Sequence, residues 1–269
     1  SFALVAHALA LPKANTSFTS NDRIIGGTAS AEGEYPYIVS LLIIFPDSKG
    51  LCGGTIIGDR VVVTAAHCVY DFDMLTPIDA ENVYVGMGSN SRRRQTRVRA
   101  QAVHIHPQFD PNDIMNDIAL IIIAPVSLGR SNIDGIQIYG GSIPEGTRLT
   151  ALGWGQTGTN PHVNSVSDVL KRADIVVGSQ ADCRQFVPSF VSSDGPQICT
   201  ENKLLPGDDT CQGDSGTGVV ITVRGRRYLA GMTSYGASLQ GDPTCALNDG
   251  FSIYTHVNYY MGFITAATG

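Results

Sequence analysis

With 269 residues, 43% of them hydrophobic and 16% charged, the chain carries enough apolar material for one large core or two modest ones, because domains usually hold about 100 to 150 residues. Its formal net charge of −6 argues against nucleic acid as the main partner, since phosphate binding relies on clustered Lys and Arg. No apolar run approaches the roughly 20 residues of a membrane-spanning helix, so a membrane partner is not expected either.

In chain order, Phe2 to Ala10 is a short apolar stretch ending in a small-x-small pattern, which reads as the tail of a secretory signal and predicts a secreted, extracellular protein. Asn15-Thr16-Ser17 is a glycosylation sequon inside the segment expected to be removed. Beyond it, short apolar runs recur between Gly, Pro, Asn and Asp, the pattern of many short antiparallel strands. Examples are Tyr37 to Ile44, Arg60 to Thr64, Asn82 to Gly86, Val98 to His104, Ile118 to Ala124, Arg148 to Leu152, Val219 to Val223 and Tyr228 to Met232. Their Val and Ile content and their lengths favour strand over helix. The stretch from Pro125 to Pro144, rich in Gly, Ser and Pro, is the expected crossing between two halves. Val257, Tyr260, Met261 and Ile264 follow a helical spacing and predict a closing helix over Thr255 to Ala267. The basic run Arg92-Arg93-Arg94 with Arg97 and Arg99 reads as a solvated hairpin edge rather than a binding patch. His104 and His106 could share a strand face, but without a third ligand they read as surface or structural histidines. Six cysteines, an even number, suit an oxidising compartment; counting leaves their pairing open, and the lack of a Cys-x-x-Cys pair disfavours a zinc site.

Three segments carry chemistry: Thr64-Ala65-Ala66-His67-Cys68, Asn116-Asp117-Ile118-Ala119-Leu120 and Gly213-Asp214-Ser215-Gly216. A serine hydroxyl is a poor nucleophile at neutral pH. Acyl transfer therefore needs an imidazole to take its proton and a carboxylate to hold that imidazole in the useful tautomer. His67, Asp117 and Ser215 are the candidates for these roles. Each residue alone is weak evidence; their joint occurrence in the order His, Asp, Ser is strong.

Together with Ile24-Ile25-Gly26-Gly27, Cys52-Gly53-Gly54-Thr55, Gly153-Trp154-Gly155 and Ser234-Tyr235-Gly236, these segments resemble the trypsin-like (chymotrypsin-fold) serine endopeptidases over roughly residues 24 to 266. The resemblance implies an all-β fold of two antiparallel six-stranded β-barrels with a C-terminal helix. Residues 1–23 would be a signal remnant and activation propeptide, 24–135 a barrel carrying His67 and Asp117, and 136–269 a barrel carrying Ser215 and the specificity pocket. It implies an oxyanion hole from the N–H groups of Gly213 and Ser215. The implied disulfides are Cys52–Cys68, Cys183–Cys199 and Cys211–Cys245. Asp209 would lie at the base of the specificity pocket and favour substrate Arg or Lys, with Ser234 and Gly236 in its wall. Arg23-Ile24 resembles a zymogen activation bond, after whose cleavage the Ile24 ammonium would pair with Asp214. The expected partners are polypeptide substrates and protein protease inhibitors, with no nucleic acid, no membrane, no cofactor and a monomeric state.

The chain also departs from the family pattern. Thr217 replaces a glycine after the nucleophile motif, Ser252 falls where trypsins carry glycine in the pocket, and Ala237 to Thr244 is a longer insertion than usual. The segment Ser89-Asn90-Ser91-Arg92-Arg93-Arg94 lacks the carboxylates of a calcium loop, so no metal is predicted there. Two rival readings follow: the same chemistry with a pocket for apolar or small residues, and a protease-like binding protein without turnover.

Overall fold

A computed structural model of the chain describes residues 27–156, 166–205, 210, 213–239 and 249–268. Arg23, Ile24, Asp209, Cys211 and Cys245 lie outside the described residues, and with them the proposed activation bond, pocket base and third disulfide. Among the described residues no helix is long and apolar enough to cross a membrane.

The secondary structure is mostly antiparallel strand, arranged in two large sheets. In the first, the neighbours run Thr96–Arg99, Val83–Met87, Ile38–Ile44, Lys49–Gly58, Val61–Thr64, Ala119–Ile122 and Ala102–Ile105. The outermost two, Thr96–Arg99 and Ala102–Ile105, are consecutive in the chain. At the bend between them the Ala100 N–H donates to Val83 O at 2.9 Å and the Gln101 N–H to Ile122 O at 2.7 Å. One bent strand therefore bonds both edges and closes the sheet into a six-stranded barrel, which leaves it without free edges. The Val98 to His104 run, one strand by its apolar pattern, bends at Ala100 and Gln101, and that bend closes the ring.

In the second sheet the order is Lys171–Val176, Arg148–Gly153, Gly218–Val223, Arg226–Ser238, Gly250–His256 and Gln197–Glu201, with the two-residue strand Thr28–Ala29 added beside Lys171–Val176. A bridge between Val177 and Thr200, with the Gly178 N–H donating to Cys199 O at 3.0 Å, joins the two ends. Lys171–Val176 alternates buried and exposed residues, with Ala173 and Ile175 inward and Arg172 and Asp174 outward. Such a half-solvated strand lacks the continuous apolar run that marks Val61–Thr64, all of whose residues are buried.

Among the described residues two disulfides are formed, Cys52–Cys68 and Cys183–Cys199. The second anchors the short helix Gln180–Phe186, which Ser179 caps by accepting the Asp182 N–H at 3.0 Å. The predicted closing helix begins later than its spacing suggested, since Thr255 and His256 finish the strand Gly250–His256. A 3₁₀ turn, Val257–Tyr260, then leads into the helix Met261–Thr268. Val257, Tyr260 and Ile264 bury themselves in a core that also holds Val39, Leu41 and Ile118 of the first barrel. The end of the chain thereby packs back across the molecule.

Candidate active site

His67 sits on the 3₁₀ turn Ala66–Val69, whose Ala66, Cys68 and Val69 are buried and whose Cys68 is tied to Cys52. Asp117 follows Asn116, a left-handed residue with φ 53°. The Asn116 side chain donates to Gln108 O at 2.7 Å and accepts the Tyr260 hydroxyl at 3.1 Å, which holds this turn in place. The Asp117 side chain is 1% exposed. Its Oδ1 accepts the His67 backbone N–H at 2.9 Å; its Oδ2 accepts the His67 Nδ1–H at 2.8 Å and the Ser234 hydroxyl at 2.5 Å. The Thr255 hydroxyl donates to Asp117 O at 2.8 Å. With Nδ1 bound to the carboxylate as a donor, the Nε2 lone pair is left to accept a proton.

This pairing shifts both groups. Burial disfavours the His67 imidazolium, but the charge and hydrogen bond of Asp117 outweigh it and hold the His67 pKa above its ordinary value. Burial likewise opposes ionisation of Asp117, yet the charge of His67 and the bonds from His67 and Ser234 keep its carboxyl below the usual range.

Ser215 lies in a turn between Gly213 and Gly216, at φ +94° and +75°, conformations open to glycine and costly for other residues. The turn is sewn to both barrels. Ser215 O accepts the Gly53 N–H at 2.8 Å, beside the Cys52–Cys68 bridge that abuts His67. The Gly216 N–H donates to Thr233 O at 2.7 Å, one residue before the Ser234 that bonds Asp117. All three segments thus meet through a short circuit of bonds. His67 Nε2, with Cys68 Sγ 3.8 Å away, makes no direct hydrogen bond to Ser215 Oγ among the described residues. Enzymes without substrate often leave this bond long, and it tightens in the complex.

Asp214 is fully buried and accepts the Gly155 N–H at 2.7 Å. Thr217, also fully buried, packs its side chain on the Cα of Gly53, and its hydroxyl has no hydrogen-bond partner among the described residues. Gly236 pairs with Ser252 across neighbouring strands, and Ser252 is 3% exposed. Cys52, His67 and Cys68 are close together, but the disulfide occupies both sulfurs. His104 is exposed, while His106 packs edge-on against Tyr260 and Phe263 at 5.3 and 5.0 Å, so the two do not act as a pair.

The trypsin family model matches residues 24–264. The chain belongs to the trypsin family. It is 34% identical over 263 residues to serine protease 1 of Rattus norvegicus, covering 97% of this chain and 94% of that one. It is 31% identical over 260 residues to serine protease 1 of Homo sapiens, covering 97% and 93%. Mannan-binding lectin serine protease 1 of Homo sapiens matches at 27% over 266 residues, 92% of this chain and 36% of that longer one. This trypsin-family chain is a serine endopeptidase, a hydrolase acting on polypeptides.

Sequence reasoning assigned Ser234 to a pocket wall and missed its bond to Asp117. It also missed Thr255, and Tyr260 acting through Asn116. The ladder between Arg226–Ser238 and Gly250–His256 slips between Thr233 and Tyr235, so Ser234 sits on a bulge. A bulge re-aims a side chain away from its alternating direction, and no periodicity in the sequence announces it.

Proposed function

We propose that this serine endopeptidase is secreted as a zymogen, is activated by cleavage after Arg23, and hydrolyses peptide bonds after Arg or Lys. The observation that carries the chemistry is the Asp117 carboxylate, buried and saturated, holding His67 with its Nδ1–H engaged. His67 Nε2 takes the Ser215 proton as the oxygen bonds the scissile carbonyl carbon. The resulting oxyanion is met by the N–H groups of Gly213 and Ser215, and loss of one such donor typically lowers the rate about 10² to 10³-fold. The C–N bond breaks as His67 returns the proton to the leaving amine, and water then repeats the sequence on the acyl-enzyme. The fully buried Asp214 favours an arriving ammonium, which supports Ile24 as its partner once Arg23-Ile24 is cut.

Preference for Arg or Lys rests on the position of Asp209, six residues before Ser215. Secretion rests on the apolar residues 2 to 10 and on disulfides formed in an oxidising compartment. A second reading keeps the chemistry with a pocket for small or apolar residues; it is favoured by Ser252, whose hydroxyl would stand 3.0 Å from a Cβ placed at Gly236. The test is N-terminal sequencing after activation, labelling of Ser215 by an organophosphonate, and a panel of Arg, Lys, Phe and Ala anilides. Labelling with cleavage confined to Arg and Lys agrees with the proposal. Turnover of Ala or Phe alone selects the second reading, and an unlabelled Ser215 rejects both.

A further inference from the structure

The two barrels are also tied at the hairpin loop 88–95, between the strands Val83–Met87 and Thr96–Arg99. Asn90 is its hub. Asn90 O accepts the Leu170 N–H and the Trp154 indole N–H, each at 2.8 Å, and the Asn90 side chain donates to Ser30 O at 2.9 Å. Asp168 holds the loop from the other side. Its carboxylate accepts the Ser91 hydroxyl at 2.8 Å and the Arg93 N–H at 3.2 Å, while its carbonyl accepts the Arg92 N–H at 2.9 Å. The Arg92 guanidinium donates to Ser167 O at 2.8 Å. Ser91 is 5% exposed and Trp154 1% exposed, while the Asp168 side chain is 35% exposed, so the bonds run from the surface at Asp168 into the interior at Trp154.

The bonded path continues inward. The Ser167 N–H donates to Trp154 O at 3.0 Å, and the next residue, Gly155, gives its N–H to the Asp214 carboxylate at 2.7 Å. That carboxylate lies flat on the Gly153-Trp154-Gly155 backbone, with no room for a Cβ at either glycine. Asp214 stands between Gly213 and Ser215, the two residues whose N–H groups receive the oxyanion in the reading above, on which this inference rests.

The geometry points to Asp168 as a positioning residue for the oxyanion turn, acting through loop 88–95, Trp154 and Gly155. Removing its carboxylate frees Ser91 and Arg93, loosens Asn90 against the indole and Leu170, and lets the Gly155 amide drift from Asp214. The serine, the imidazole and the substrate pocket are left untouched. The cost should therefore fall on acylation rather than on substrate binding.

Trp154 is the single tryptophan of the chain, so its indole N–H resonance and its emission report the middle of this path directly. The test measures three things on activated protein: the indole resonance, the acylation burst with p-nitrophenyl acetate, and kcat and KM on a preferred anilide. Asp168→Ala is expected to shift the indole signal, slow acylation and lower kcat about tenfold with KM nearly unchanged. Asp168→Asn, which keeps an acceptor for Ser91, should restore most of both signals. Ser91→Ala combined with Asp168→Ala should be no worse than Asp168→Ala alone. A lowered melting temperature with unchanged indole signal and unchanged kcat would mean a merely structural bond and overturn the proposal, as would a shifted indole with full acylation. A wild-type protein without a burst would instead sink the oxyanion reading itself, and the proposal with it.

Discussion

Asp117 meets His67 and Ser234 in a setting that almost excludes water, and the direction of the two pKa shifts dictates a pH profile. His67 must be neutral to accept a proton, and its pKa is raised, so the acid limb of kcat/KM should lie above the unperturbed value of about 6.5. Asp117→Asn removes the charge that raises it while burial continues to lower it. The limb should then move to lower pH, and kcat should drop about 10⁴-fold, as the family's triad template indicates. A limb that stays in place would show that the carboxylate does not govern the imidazole. Thr217 gives a separate stability test. Its buried hydroxyl has no partner among the described residues, and such a group costs about 1 to 3 kcal/mol. Thr217→Ala is expected to leave the melting temperature unchanged or raise it by a few degrees. Gly53→Ala should do the reverse and reduce activity too, because its Cβ would overlap the Thr217 side chain while the Gly53 N–H holds Ser215 O. Paired melting curves and kcat values for the two variants would check both.

At the scale of elements, the strand Gly250–His256 ends in a histidine that is 3% exposed, its Nδ1–H donating to Gly195 O at 2.9 Å. Burial outweighs the favourable nearby Asp194 carboxylate and holds the His256 pKa below its ordinary value, so the folded protein keeps this ring neutral. The unfolded chain binds a proton there below about pH 6.5, and stability must therefore fall as pH drops below that value. His256→Gln should flatten this part of the melting-temperature profile between pH 7.5 and 5; an equally steep fall would assign the loss to other groups. The closing helix Met261–Thr268 and its preceding turn contribute through Tyr260. Tyr260→Phe deletes the bond to Asn116, which should cost about 1 kcal/mol and lower kcat/KM a few-fold through the Asp117 turn. Thermal melts and steady-state kinetics read the two effects separately. Strands with continuous Val and Ile, such as Val61–Thr64 and Ala119–Ile122, were legible because both faces are buried. Lys171–Val176 and Gln197–Glu201 were not singled out; their charged and polar residues are accommodated by partners far along the chain, such as Ser179, whose N–H donates to Glu201 at 2.7 Å.

For the whole molecule, the expected control is the Ile24 ammonium against Asp214. A carboxylate raises the pKa of a neighbouring ammonium, so the active state should persist through neutral pH and be lost as pH climbs through that raised value. Carbamylation of Ile24 in processed protein should abolish turnover; undiminished activity would refute the switch. The amino-acid sequence by itself determined the chemistry and the class of fold. His67, Asp117 and Ser215 stand in short segments whose residue types carry their meaning locally, and the strand runs reflect a period that neighbouring residues define. The tertiary structure decided what lies between distant segments: the bend at Ala100 and Gln101 that closes the first barrel, the bulge that turns Ser234 onto Asp117, the contact of Thr217 with Gly53, and the path from Asp168 to Asp214. Each of these depends on register and close approach between residues tens to more than a hundred positions apart. Local propensity does not encode such distances; they arise when the sheets close and the two cores pack together.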